Sequence, residues 1–225
     1  MPTPRLCRSA VLLTAIALAA AVHNVNAVPI EFKFTGTVSS VDDGLGGTFS
    51  VGDQVSGIYI FESTTADSNN LPQRGEYNGT VRSFSFRKGG YAGAAMAGNI
   101  TVDNDANGFD RYVVTIPSPL TAPAVDGFAL GRFALTLSDS TESVFNNDSL
   151  PLTPPALAGF DSRLFQLVYT KQVGMTFQIR SVLGNVTSLV IPEPPSLMLF
   201  GIAGLSLFGG FWRRRRTEVK ATGGA

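Results

Sequence analysis

Between residues 28 and 191 apolar and polar side chains alternate in short runs, with no convincing apolar stripe at a 3.6-residue period. In Ile30-Glu31-Phe32-Lys33-Phe34 the apolar and charged side chains fall on opposite faces of an extended chain. Ser83-Phe84-Ser85-Phe86-Arg87 repeats the pattern. This alternation predicts strands over 30–41, 55–62, 80–88, 95–102, 111–117, 128–138, 164–171 and 175–191. Turn-forming pairs such as Asp43-Gly44, Gly89-Gly90, Asn107-Gly108 and Asp126-Gly127 separate the runs. Eight or nine strands so punctuated predict an all-β domain, an antiparallel β-sandwich first and a closed barrel second. Residues 145–161 hold three prolines without alternation, and are expected to form a long ordered excursion beside the sheets. Three segments, beginning at Gly36, Gly79 and Gly184, share a Gly-x-Val-x-Ser pattern. Their separations have no common period, so they read as strands entered by glycine with Val38, Val81 and Val186 inward.

The ends of the chain follow other patterns. Arg5 and Arg8 precede the 12-residue uncharged run Val11–Val22, too short to span a bilayer. Val25-Asn26-Ala27 then places small residues at the −3 and −1 positions of a cleavage site. Residues 1–27 are therefore expected to be a secretory signal peptide cut after Ala27. At the other end, the 19 residues from Pro194 to Trp212 carry no charge. As a helix they would extend about 28 Å, close to the ~30 Å hydrocarbon thickness. Arg213, Arg214, Arg215 and Arg216 follow directly and would hold that side in the cytoplasm. The expected organisation is a signal peptide at 1–27, an exported domain at 28–190, and a sorting region at 191–216 with a transmembrane helix at 195–212. A cytoplasmic tail at 217–225 completes it.

Pro192, Glu193 and Pro194 stand immediately before the apolar span, where two prolines keep the backbone extended and out of the helix. The order Pro-Glu-Pro, apolar span, arginine cluster resembles the PEP-CTERM sorting signal of Gram-negative bacteria. That resemblance implies recognition of Pro192, Glu193 and Pro194 by exosortase, a membrane-embedded transpeptidase. It further implies transient anchoring in the inner membrane, followed by display at the cell surface or in an extracellular polysaccharide matrix. The exported domain also resembles the β-rich domains often found ahead of such tails, a likeness of shape alone.

Composition narrows what the exported domain can do. Seven of the 17 Lys and Arg lie in the end segments, against two of the 17 Asp and Glu, so the middle carries about −5. That balance argues against nucleic acid as a partner. His23 and Cys7, the only histidine and cysteine, both precede residue 28. The exported domain thus lacks the side chains for a Ser-His-Asp triad, a Cys-His pair or a usual zinc site. The expectation is a non-catalytic domain, with a carbohydrate- or calcium-binding module as alternative and a glycosidase using paired carboxylates behind it. The candidate calcium ligands are Asp103, Asp105 and Asn107, spaced as in the first half of a calcium loop ending at Gly108. Asp110 would close the site from the far arm of the hairpin. Val114 stands where an EF-hand loop needs its bidentate carboxylate, and the flanks read as strands.

Overall fold

The computed structural model describes residues 28–192. Its strands are β1 (Pro29–Val41), β2 (Gln54–Glu62), β3 (Arg74–Lys88), β4 (Tyr91–Ala95), β5 (Gly98–Asp103), β6 (Asp110–Pro117), β7 (Ala129–Asp139), β8 (Ser162–Val173) and β9 (Thr176–Val190). All neighbours are antiparallel. β1 pairs with both β2 and β9, and β2 pairs onward to β3, so the sheet closes on itself. Eight strands form the barrel: β1, β2, β3, β5, β6, β7, β8 and β9. β4 is the ninth, lying beside the second half of β3 where β5 no longer reaches.

The expectation of a sandwich is thereby corrected to a closed barrel. Apolar-in, polar-out alternation is common to both architectures; what separates them is whether the first and last strands pair. Here β1 and β9 pair from Lys33–Val190 to Val41–Val182, with register shifts at Thr35/Gly36 and Val38/Ser40. Bulges of this kind bend a strand and let a long sheet curl shut. The expected strand at 95–102 is likewise corrected: the chain leaves β4 after Ala95 and begins β5 at Gly98. β3 starts six residues earlier than expected, continuing through Gly79 in a left-handed conformation (φ 67°).

The interior is filled. Phe34 packs 5.3 Å from Phe133, which lies 4.6 Å from Phe84. Phe32 meets Phe61 edge to face at 5.1 Å. Two tyrosines share a buried hydrogen bond between their hydroxyls, Tyr59 to Tyr112 at 3.1 Å, which meets the need of a buried phenol for a polar partner. Val38, Val81 and Val186 do point inward, but their glycines sit within strands. Gly36 and Gly184 leave the space that the Phe165 ring occupies. The outer face carries Lys33, Ser85 and Arg87, the reverse of a barrel whose outside faces lipid. Among the described residues no helix is long and apolar enough to cross a membrane.

The register places Val28, Pro192 and the loops 63–73, 104–109 and 140–161 at one end of the barrel. The loops 42–53, 89–90 and 118–128 and the β8–β9 turn lie at the other. Residues 145–161 are the ordered excursion expected: Phe160 is buried, packs 5.9 Å from Phe145, and lies two residues before β8 begins at Ser162.

Candidate functional site

Three places hold the candidate chemistry: the barrel end that carries Val28 and Pro192, an open groove on the outer face, and the segment after β9. At the first, Asp103 closes β5 in register with Arg74 on β3 and Arg111 on β6. Its buried carboxylate accepts from Arg111 Nε at 2.8 Å and Nη2 at 2.6 Å, while Arg74 Nε stands 3.6 Å from the other oxygen. Two guanidinium groups thus already neutralise it. Asp105 and Asn107 adopt left-handed conformations (φ 54° and 59°) at the exposed turn. Asp110 is fully buried and serves three backbone amides: Asp105 at 3.0 Å, Val144 at 2.7 Å and Phe145 at 2.7 Å.

The four proposed calcium ligands therefore do not converge. Asp103 faces arginines, Asp110 faces amides, and Asp105 and Asn107 shape the turn between them. Among the described residues no three Asp, Glu, His or Cys side chains are grouped to hold a metal. Asp103 Oδ1 and Asn104 Oδ1 are nonetheless buried without a hydrogen-bond partner. Asp139, absent from the sequence candidates, is buried directly opposite Asp110. It accepts from the amides of Thr141 (3.0 Å) and Ser143 (2.9 Å), which hold its carboxyl below the usual carboxylate range. The signal for it was the run Asp139-Ser140-Thr141-Glu142-Ser143, where an Asp can fold a turn over its own carboxylate.

The second place is a groove of about 510 Å³ on the outer face. One register row crosses it from Lys33 through Ile58, Ser85 and Ala94 to Thr121. A second runs Ser56, Arg87, Ala92. Small residues make up most of its lining, Ile58, Phe86, Lys33 and Arg87 supply the larger side chains, and no Asp or Glu lines it. Neither cation belongs to an ion pair among the described residues. Nothing in the linear pattern marks this groove, because its rows come from four strands.

At the third place, β9 ends at Val190 and Pro192 follows two residues later. Ala27, Glu193, Pro194, Arg213, Arg214, Arg215, Arg216 and the transmembrane helix expected at 195–212 lie outside the described residues. So do the signal peptide and the cytoplasmic tail.

Residues 28–192 thus form an all-β barrel, and the C-terminal segment follows its last strand. Residues 190–216 match the PEP-CTERM protein-sorting motif, and the chain is consistent with a PEP-CTERM protein, an exported substrate of exosortase. The motif implies membrane association, transient anchoring and a cell-surface destination. No curated protein and no solved structure matches the chain.

Proposed function

We propose that residues 28–192 form a non-catalytic structural module, processed by exosortase and held at the cell surface or in an extracellular polysaccharide matrix. The observation that carries this reading is the join between barrel and motif. Val190 is still paired with Lys33 in the closed sheet, and Pro192 follows with a single residue between them. A filled barrel set so close to the tripeptide would hold the substrate segment next to the membrane. In the sequence-based scheme the uncharged span and its four arginines arrest the chain, and Pro192-Glu193-Pro194 is then presented at the outer boundary. In cells, Glu193→Ala, or replacement of Arg213 to Arg216 by alanine, is expected to accumulate unprocessed chain with lost surface display. Unchanged band size and display in both variants would contradict the proposal.

The outer groove favours a second reading, a module that binds acidic carbohydrate. Lys33 and Arg87 supply charge there, and Ser56, Ser85 and Thr121 supply hydroxyls. A glycan array would show saturable binding that Lys33→Ala and Arg87→Ala abolish; a blank array would leave the structural role alone.

A further inference from the structure

The tip of the β8–β9 hairpin extends beyond the barrel. β8 pairs with β7 only as far as Thr170, and β9 meets β1 only from Val182 onward. Past those points the two strands pair only with each other, joined by Gly174 (φ 61°) and Met175 in a two-residue turn. The tip is apolar and open: Met175 is 101% exposed, Phe177 68% and Ile179 61%. Its other face is occupied, since Lys171 and Arg180 lie over the Phe128 ring at 5.2 and 6.0 Å.

The free edge has a defined parity. Ser181 donates its N–H to Asp42 Oδ2 at 2.7 Å and accepts from Asp42 N at 3.0 Å, so its backbone groups point to the β1 side. Strand alternation then turns the N–H and C=O of Phe177 and Ile179 to the same side, where β1 has already ended. Among the described residues they meet no backbone partner there; the Ile179 carbonyl accepts only the flexible Arg180 side chain, Nη1 at 3.1 Å. Asp42 bounds this edge on one side and the turn on the other, leaving Thr176–Arg180 with Gln178 at its midpoint.

We propose that this edge pairs antiparallel with the same edge of a second copy about a two-fold axis at Gln178. In that register Phe177 of each copy stands opposite Ile179 of the other. Both residues present edge-facing backbone groups, so each of the two Phe177–Ile179 pairs exchanges two hydrogen bonds. Their side chains form the aromatic and β-branched cross-strand pair that antiparallel sheets favour. An axis at Phe177 would engage only three residues, and one at Ile179 would oppose Phe177 to Ser181, whose groups Asp42 already holds. Lipid is a poorer occupant, because hydrocarbon would leave the free N–H and C=O groups unsatisfied. The contact is isologous and closes at two copies. It is smaller than the roughly 20–30 residues a side of a standard stable interface, which makes the dimer weak and reversible.

Cysteine cross-linking in the full chain tests this, in a Cys7→Ser background that removes the one native thiol. At the axis, Gln178→Cys would place two Cα atoms about 4.5 Å apart, within disulfide reach. Mild oxidation of cells displaying it is expected to give a dimer band about tenfold stronger than Thr176→Cys, whose two thiols would lie several residues apart. Adding Phe177→Glu, an exposed change that leaves the melting temperature intact, is expected to reduce the band to that control. Equal bands for Gln178→Cys and Thr176→Cys would overturn the proposal. So would a dimer that survives Phe177→Glu, or Phe177-dependent binding to phosphatidylcholine vesicles without cross-linking.

Discussion

Asp110 and Asp139 oppose each other in register across β6 and β7, both out of solvent, yet neither is paired with a cation among the described residues. Five backbone amides take the place of a cation. Asp105, Val144 and Phe145 donate to the first carboxylate, Thr141 and Ser143 to the second. Amides aimed at these carboxylates give their buried oxygens the hydrogen-bond partners that burial takes from water. The pair therefore fastens the 104–109 and 140–161 loops to the end of the barrel.

Removing the Asp110 carboxylate strands three amides. Asp110→Ala is expected to destabilise the protein by about 3 kcal/mol, since each buried unsatisfied group costs ~1–3 kcal/mol and the loop can relax in part. For a domain of this size that lowers the melting temperature by roughly 6–12 °C. Millimolar calcium, in contrast, is expected to leave the parent's melting temperature unchanged, because Asp103 is held by arginine and Asp110 by amides. A calcium-dependent rise would mean that the unpartnered oxygens of Asp103 and Asn104 take the ion.

Acid should expose the contribution of Asp139. The amides of Ser143 and Thr141 hold its carboxyl below the unperturbed 3.8. A depressed folded value gives stability that is complete above about pH 3.8 and is lost as pH falls through the lower folded value. Asp53 acts in the same direction through its hydrogen bond with Lys88. Urea unfolding at a series of pH values is expected to give Asp139→Asn a shallower acid limb than the parent, and lower stability at neutral pH.

Alkali acts on the tyrosines with the opposite sign. Burial pushes the phenols of Tyr59 and Tyr112 well above 10.0. A raised folded value gives stability that is complete below the unfolded value near 10 and is lost as pH rises toward the folded one. The native protein is expected to develop little tyrosinate absorbance from this pair until it unfolds, and then both phenols ionise together. Smooth ionisation of both near pH 10 in folded protein would contradict the packing of the barrel interior.

The two glycines under Phe165 are expected to resist substitution. A Cβ at Gly184 would meet the Phe165 ring and approach the Thr37 carbonyl at 2.6 Å. Gly184→Ala is therefore expected to cost about 1–3 kcal/mol in denaturant unfolding. At Gly47 a Cβ meets nothing within 4 Å, and Gly47→Ala is expected to stay within about 0.5 kcal/mol of the parent.

Strand existence was legible because a half-buried strand writes its two faces directly into the sequence. Seven of the expected runs overlap the observed strands; the eighth, 95–102, crossed from β4 to β5. Gly93, Ala94, Ala95, Met96 and Ala97 offer no polar contrast, so the break between those strands left no mark. The expected strand at 80–88 was entered at Gly79 and so missed the first half of β3, where the glycine lies at a bulge within a continuous strand. Closure rests on pairing between β1 and β9, far apart along the chain, and alternation is silent about it. The surroundings of Asp103 were hidden for a related reason: the calcium spacing is linear, whereas Arg74 and Arg111 reach Asp103 through register. The C-terminal motif was legible because its elements are read in order along one segment.

The most direct measurement is mass spectrometry of the mature carboxyl end of the protein recovered from the cell surface. The sorting account predicts a chain that ends near Pro192-Glu193-Pro194, without the apolar span and the arginine cluster. Recovery of mature surface protein still carrying Arg213 to Arg216 and Ala225 would contradict it.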